Sequence, residues 1–258
     1  MTNVFKNLYQ YRELLKTSVK KEVRGKYKNS FLGVIWSFLN PLLQIAVYAI
    51  VFPLILRNNQ NNYVIFLCCG LIPWTFFATS INRSAFSFVE NGNILKKVYF
   101  PREIVPISVV TSEAINFMIS SIIILAFVIF GGIGITKYIV LYPLVLIVQY
   151  LLVIAISITI SSICVYLRDL QHFIGVALQL LFYAAPVVYA PSTIPDNFQW
   201  ILKFNTMTYI INAYRDIFYN QQMLEIKPLI IVFVCALIGC ALGYFIFNKL
   251  QKGFAEQL

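Results

Sequence analysis

Carboxylates and histidine are scarce in this chain. Ten Asp and Glu and a single histidine stand against twenty Lys and Arg in 258 residues. There is no Gly-x-x-x-x-Gly-Lys-Ser/Thr phosphate loop: the only Gly-Lys pair, Gly25-Lys26, has Lys20 where the first glycine belongs. His-Glu-x-x-His, Gly-x-Ser-x-Gly and glycine-rich dinucleotide fingerprints are missing too. The chain therefore has no means of its own to use nucleotide energy. A membrane glycosyl or acyl transferase would need an acid–base set, and none is evident. The lone His172 borders a loop, where a histidine is far more often structural than catalytic. Cysteines are few: Cys68, Cys69, Cys164, Cys235 and Cys240 all fall in apolar segments. They have neither disulfide-framework nor metal-ligand spacing and read as small buried apolar residues.

What the chain does have is apolar length. It is 60% hydrophobic and 12% charged, with a mean hydropathy of +0.78. Soluble domains are about half apolar and about a quarter charged, so an all-α integral membrane protein is expected, with no room for a soluble domain. Segments that match a hydrocarbon core of about 30 Å fall at 32–56, 63–88, 104–130, 138–166, 172–190 and 228–248, six spanning helices in all. The fifth holds Pro186, followed by Pro191 and Pro195, and is expected to kink. Residues 1–30 are polar and basic, so no cleavable leader is expected.

Charge placement gives the topology. Six spans put both ends of the chain, and the loops after the second and fourth helices, on one side. That side collects fifteen of the twenty basic residues, including eight in 1–30, four in 83–103, Arg168, Lys249 and Lys252. Arg57, Lys137, Lys203, Arg215 and Lys227 fall on the other side. Basic loops mark the cytoplasm, so both termini are expected there, and the net charge of +10 needs no nucleic acid to explain it. The whole chain is expected to form one transmembrane domain: a cytoplasmic segment 1–30, a membrane region 31–248 and a cytoplasmic tail 249–258.

Three regions outside the spans carry further information. In 4–24, Val4, Leu8, Tyr11, Leu15 and Val19 recur at helical spacing, with Arg12, Lys16, Lys20 and Lys21 on other faces. This suits an amphipathic helix in the membrane interface; the alternative is a solvated basic tail. In 91–103, basic Lys96, Lys97 and Arg102 stand among Ile94, Leu95, Val98, Tyr99 and Phe100, before Pro101 and Glu103. A plain connection needs only turn residues. The pattern predicts a short helix near Asn91–Lys97, a bend, an extended Phe100 ahead of Pro101, and a knob that docks a cytosolic partner; the alternative is a basic loop that only sets topology. Finally, 192–227 is too apolar for a free loop and too interrupted to span. A re-entrant or interfacial helical pair fits, with Trp200, Tyr209, Tyr214 and Tyr219 at headgroup depth.

Inside the spans the polar content is mainly neutral: Gln44, Asn116, Gln149, Ser157, Thr159, Ser161, Ser162 and Gln179. These suit helix packing or a path for a hydroxyl-rich substrate. Glu113 is the charge set deepest, and one carboxylate is too little for ion-coupled transport. Aromatic residues reach 16% and include Trp36, Phe38, Tyr48 and Phe52 on the first helix and Trp74, Phe76 and Phe77 on the second. They offer broad contact without demanding one hydrogen-bond pattern, or else form lipid-facing belts.

Three stretches resemble the ABC-2-type permeases that export lipid-linked polysaccharides such as O-antigen and teichoic acid. The first is Tyr11-Arg-Glu-Leu-Leu with Lys26-Tyr-Lys-Asn-Ser-Phe-Leu-Gly-Val-Ile-Trp-Ser-Phe-Leu-Asn-Pro41. The others are Leu95-Lys-Lys-Val-Tyr-Phe-Pro-Arg-Glu103, and Arg168-Asp-Leu170 with Phe182-Tyr-Ala-Ala-Pro-Val-Val-Tyr189. One departure is Asn205-Thr206, where the family commonly has Asn-Pro. The resemblance implies a homodimer in a bacterial cytoplasmic (inner) membrane, paired with two copies of a separate ABC ATPase that binds the ATP and Mg. It implies that Ile94, Leu95, Lys96, Lys97, Val98, Tyr99, Phe100, Pro101, Arg102 and Glu103, with Arg168 and Asp169, couple to that ATPase. It makes Arg12, Lys16, Lys20, Arg24, Lys26 and Lys28 contacts for the anionic head of a polyprenyl-pyrophosphate-linked glycan. The glycan would pass between the first and fifth helices of both protomers, with Trp36, Phe38, Tyr48, Phe52, Trp74, Tyr183 and Tyr189 as lining candidates. Export of drugs or small lipids is the alternative cargo.

Overall fold

The computed structural model describes residues 2–28, 30–56 and 61–257. Arg57, counted above among the outer charges, and Asn29 of the first motif lie outside them. The described residues form α1 (Thr2–Gln10), α2 (Arg12–Tyr27), α3 (Trp36–Leu56), α4 (Tyr63–Glu90), α5 (Gly92–Lys97) and α6 (Ile104–Phe130). There follow α7 (Tyr142–Cys164), α8 (Leu170–Ala184), α9 (Gln199–Phe204), α10 (Thr206–Phe218), α11 (Ile226–Leu250) and α12 (Phe254–Gln257). Among the described residues no strand occurs, as a lipid environment dictates when backbone groups must pair within their own segment.

Five helices, α3, α4, α6, α7 and α11, are long and apolar enough to cross a membrane. α4 is the hub: it packs on α3, α6, α7, α8 and α10, and nearly every face of it is covered. α7 lies closely along α11, where Gly239 and Gly243 face Ala155 and Thr159. Small residues one turn apart let two backbones approach in this way.

The fifth expected span is shorter than its sequence suggested. Its helix stops at Ala184, not near 190, because Ala185 precedes Pro186 and is extended (φ −104°, ψ 144°). Its 15 residues reach about 22 Å at 1.5 Å per residue. One end follows Arg168 and Asp169; the other leads to Val187 and Val188, which meet Arg215 of α10 and Tyr63 at the start of α4.

The reading of all five cysteines as buried is corrected for two. Cys68, Cys69 and Cys164 are buried, Cys240 is half-buried and Cys235 is exposed. α11 buries only one stripe, Leu229, Val232, Ala236, Gly243 and Phe247, and Cys235 lies off that stripe.

A second, smaller core closes the basic end of the bundle, the end that carries Lys96, Lys97 and Arg168. Phe88, Leu95, Val105, Ile107, Ile158, Val165, Phe247 and Phe254 form it, with Leu8 and Leu15 packed against it. The segment expected as a tail thus folds back, with Phe254 fully buried.

Candidate functional site

The 91–103 segment folds as its composition predicts and divides into two faces. α5 runs Gly92–Lys97, Val98 turns extended, and α6 begins at Ile104, three residues past Pro101. Ile94, Lys96, Lys97, Val98 and Tyr99 are exposed, Tyr99 almost completely at 95%. Leu95 is buried in the small core and Phe100 packs against it. Pro101 and Arg102 are half-buried and Glu103 is buried, accepting from Asn7 Nδ2 at 3.1 Å. Arg102 donates to the Gln251 carbonyl, so its guanidinium is turned onto this chain. Arg168 and Asp169 are exposed, and Arg168 donates to the Gln257 carbonyl at 3.3 Å. Of the candidate coupling residues, the chain itself uses Leu95, Phe100, Arg102, Glu103 and Arg168, and Pro101 is half-buried; Ile94, Lys96, Lys97, Val98, Tyr99 and Asp169 are left presented.

The amphipathic helix is present, with a turn at Tyr11 between α1 and α2. Leu8, Tyr11, Leu15 and Val19 are half-buried, while Arg12, Lys16, Lys20, Lys21, Arg24 and Lys28 are exposed. Val4's side chain lies outside the described ones. Lys16 bonds Glu13 at 2.9 Å and holds that exposed carboxyl below the usual carboxylate range. The N-terminal helices are pinned along α6 at two points: Asn7 of α1 at Glu103, just before α6, and Lys26 of α2 at Glu113, ten residues or about 15 Å further on. There Lys26 Nζ lies 3.0 Å from Glu113, which is 3% exposed, and Arg83 joins Glu113 to Glu22, the latter at 2.7 Å. Lys26 is therefore committed to a buried carboxylate, whereas Arg12 and Lys16 pair only with the exposed Glu13.

A cavity of about 280 Å³ opens beside this cluster, lined by Lys26, Trp36, Asn40, Thr79 and Glu113 among others. Trp36 thus sides with the ionic cluster. Phe38 lies elsewhere, in an apolar recess with Leu42, Ile123 and Phe127. The remaining aromatic candidates gather at α8. Tyr48 meets Phe52 edge-to-face (5.5 Å) and Phe182 at a tilt (5.8 Å), and Phe182 meets Trp74 (5.7 Å) and Tyr183 (5.3 Å). The Tyr189 hydroxyl donates to the Tyr183 carbonyl at 2.7 Å. Trp74 is buried beneath Phe182, whereas Tyr183 is exposed.

The model of the ABC-2 type transporter family matches residues 13–219. An O-antigen export system permease from Klebsiella pneumoniae is 36% identical over 253 residues, covering 98% of this chain and 97% of that protein. Another from Myxococcus xanthus is 34% identical over 260 residues and the full length of both. A polysialic acid transport protein of Escherichia coli is 22% identical over 76% of this chain and 77% of its own. The chain belongs to the ABC-2 type transporter family.

An ABC-2 permease is the membrane component of a transporter and works with an ABC ATPase. In this permease the departure at Asn205-Thr206 proves harmless to the backbone. Asn205 caps α10, accepting from Met207 N at 3.0 Å, and Thr206 takes the first helical position, where proline is tolerated.

Four functional candidates escaped the sequence reading. Phe182 is the ring that joins α3, α4 and α8. Arg83 and Glu22 complete the ion cluster; the signal was two opposite charges near apolar helices, which normally find each other. Arg215, counted as an outer charge, is buried on α10. It donates to Val187 O at 2.9 Å, with its guanidinium 3.5 Å from the Phe66 ring centroid. The neutral polar residues divide as well. Gln149 packs, donating to Pro73 O and accepting from Tyr214, while Gln44 and Gln179 are exposed on α3 and α8.

Proposed function

We propose that this chain is the transmembrane subunit of an ATP-driven exporter that carries a lipid-linked polysaccharide across the cytoplasmic membrane. The observation that carries the reading is the exposed knob of Ile94, Lys96, Lys97, Val98 and Tyr99, built on a buried underside, in a chain of this family. The cargo follows from the full-length relatives, which are named O-antigen export permeases.

Two permease copies pair with two separate ATPases, which bind the ATP and Mg. α8 serves as the sixth crossing despite its length; its two ends adjoin opposite ends of the bundle, which supports this and keeps both chain ends on the cytoplasmic side. α9 and α10 form the outer re-entrant gate. Arg12, Lys16, Lys20, Arg24 and Lys28 meet the anionic lipid head, and Lys26 anchors the helix that presents them. The glycan passes along α3 and α8, past Tyr48, Phe52 and Tyr183, with Gln44 and Gln179 as exposed hydrogen-bonding groups.

Affinity purification from the native membrane tests this. An ABC ATPase is expected in equal amount, and K96E/K97E should reduce its recovery about tenfold or more, since charge reversal at an interface costs several kcal/mol. A folded chain that purifies alone, or an ATPase retained by the reversed variant, would count against the docking site.

A further inference from the structure

We propose that Gln251–Gln257, after the last span, is a bracket that positions both candidate coupling loops, with Phe254 as its anchor. The inference rests on the docking role just given to those loops. Arg102 of the 91–103 loop donates to the Gln251 carbonyl and lies 5.7 Å over the Phe254 ring. Arg168 of the other loop donates to the Gln257 carbonyl at 3.3 Å, and the Tyr166 hydroxyl donates to Leu250 O at 2.7 Å. Two loops distant in sequence thus commit their arginines to carbonyls of the same short segment. The carbonyls where a helix ends lack intrahelical donors and attract cations, and α11 ends at Leu250.

The anchor lies between the loops and the bundle. Phe254 is fully buried, its ring centroid 4.9 Å from Phe88 and 6.2 Å from both Phe247 and Tyr166. Leu95, the buried underside of α5, belongs to the same core. Gly253 lies so close to Tyr166 that any Cβ there would collide with its hydroxyl. A load on the exposed face of α5 therefore reaches α11 through Phe254. Arg102 and Arg168 are positioning residues, and partner contact falls to Lys96, Lys97 and Tyr99.

The test uses the permease–ATPase complex in lipid nanodiscs and compares wild type, F254A, F254L, G253V and K96E/K97E. F254A is expected to keep its membrane bundle. Amide exchange at 92–103 and 165–172 should rise about tenfold through local opening. ATP hydrolysis by the complex should fall about fivefold or more, the size of a typical coupling loss. F254L should recover most of both. G253V attacks the same joint without emptying the core and should act like F254A; it carries the test if F254A is not recovered. Unchanged exchange in the two loops overturns the bracket, as does a uniform rise across all spans. If K96E/K97E leaves a normal ATPase bound, the docking role fails and the bracket falls with it. If that control loses the ATPase while F254A and G253V behave as wild type, the bracket alone is overturned.

Discussion

At the scale of single residues, the buried ion cluster is the feature with most at stake. Glu113 is almost inaccessible and faces two cations, Lys26 and Arg83. Removing one partner of such a group strands the others, which costs about 3–5 kcal/mol, whereas replacing a whole cluster with apolar groups is often neutral. E113A is therefore expected to lower the unfolding temperature in detergent sharply. The combined E22L/K26M/R83M/E113L variant, which removes the whole cluster, should recover most of that loss although it changes more atoms. A single variant as stable as wild type would mean the cluster does not hold α2 in place. Glu113 stood out in the sequence as a rare charge in an apolar helix. Its partners did not, because Lys26 is 87 residues away and looks, in a basic stretch, like any headgroup contact. Contact across helices leaves no trace in local spacing.

Elements were more legible than residues because apolar length sets them. α4, α6 and α7 begin and end close to where the hydrocarbon requirement put them, and α5 followed from Gly92, two lysines and the bend before Pro101. The end of α8 was misplaced because apolar Val187, Val188 and Tyr189 continue past the residue that Pro186 forces out of the helix. The folded segment after α11 was missed for the opposite reason: one Phe in a short polar stretch has no period to read. α11 itself rests on α7 through Gly239 and Gly243, a contact that tolerates no added volume. A Cβ on Gly243 would lie 2.5 Å from Thr159 Oγ1 and 3.0 Å from the Ala155 carbonyl. G243V should destabilise the bundle by about 1–3 kcal/mol, the usual cost of overpacking. Beside that seam on the same helix, L242A should change little, since Leu242 is exposed. Thermal unfolding of the two variants in one detergent separates them, and equal effects would put the α7–α11 seam in the wrong place.

For the whole molecule, the exposed faces of its helices differ in kind. Along α11 the outward residues Ile230, Ile231, Val234, Leu237, Ile238, Leu242 and Phe245 are all apolar, with Cys235 among them. That is a surface lipid satisfies alone. α3 and α8 also expose aliphatic residues, but interleave them with Asn40, Gln44, Gln179 and Tyr183. Polar side chains facing hydrocarbon are unfavourable unless a second helix or a water-filled path receives them. The second copy is therefore expected against α3 and α8, with α11 outermost. The chain carries its own control for this arrangement. Under mild oxidation in membranes, Q44C is expected to form a disulfide-linked dimer, because isologous contact brings the same patch of each copy together. Native Cys235, also exposed on one copy, should stay monomeric. A dimer linked through Cys235, abolished by C235S, would place α11 at the interface and move the glycan path away from α3 and α8.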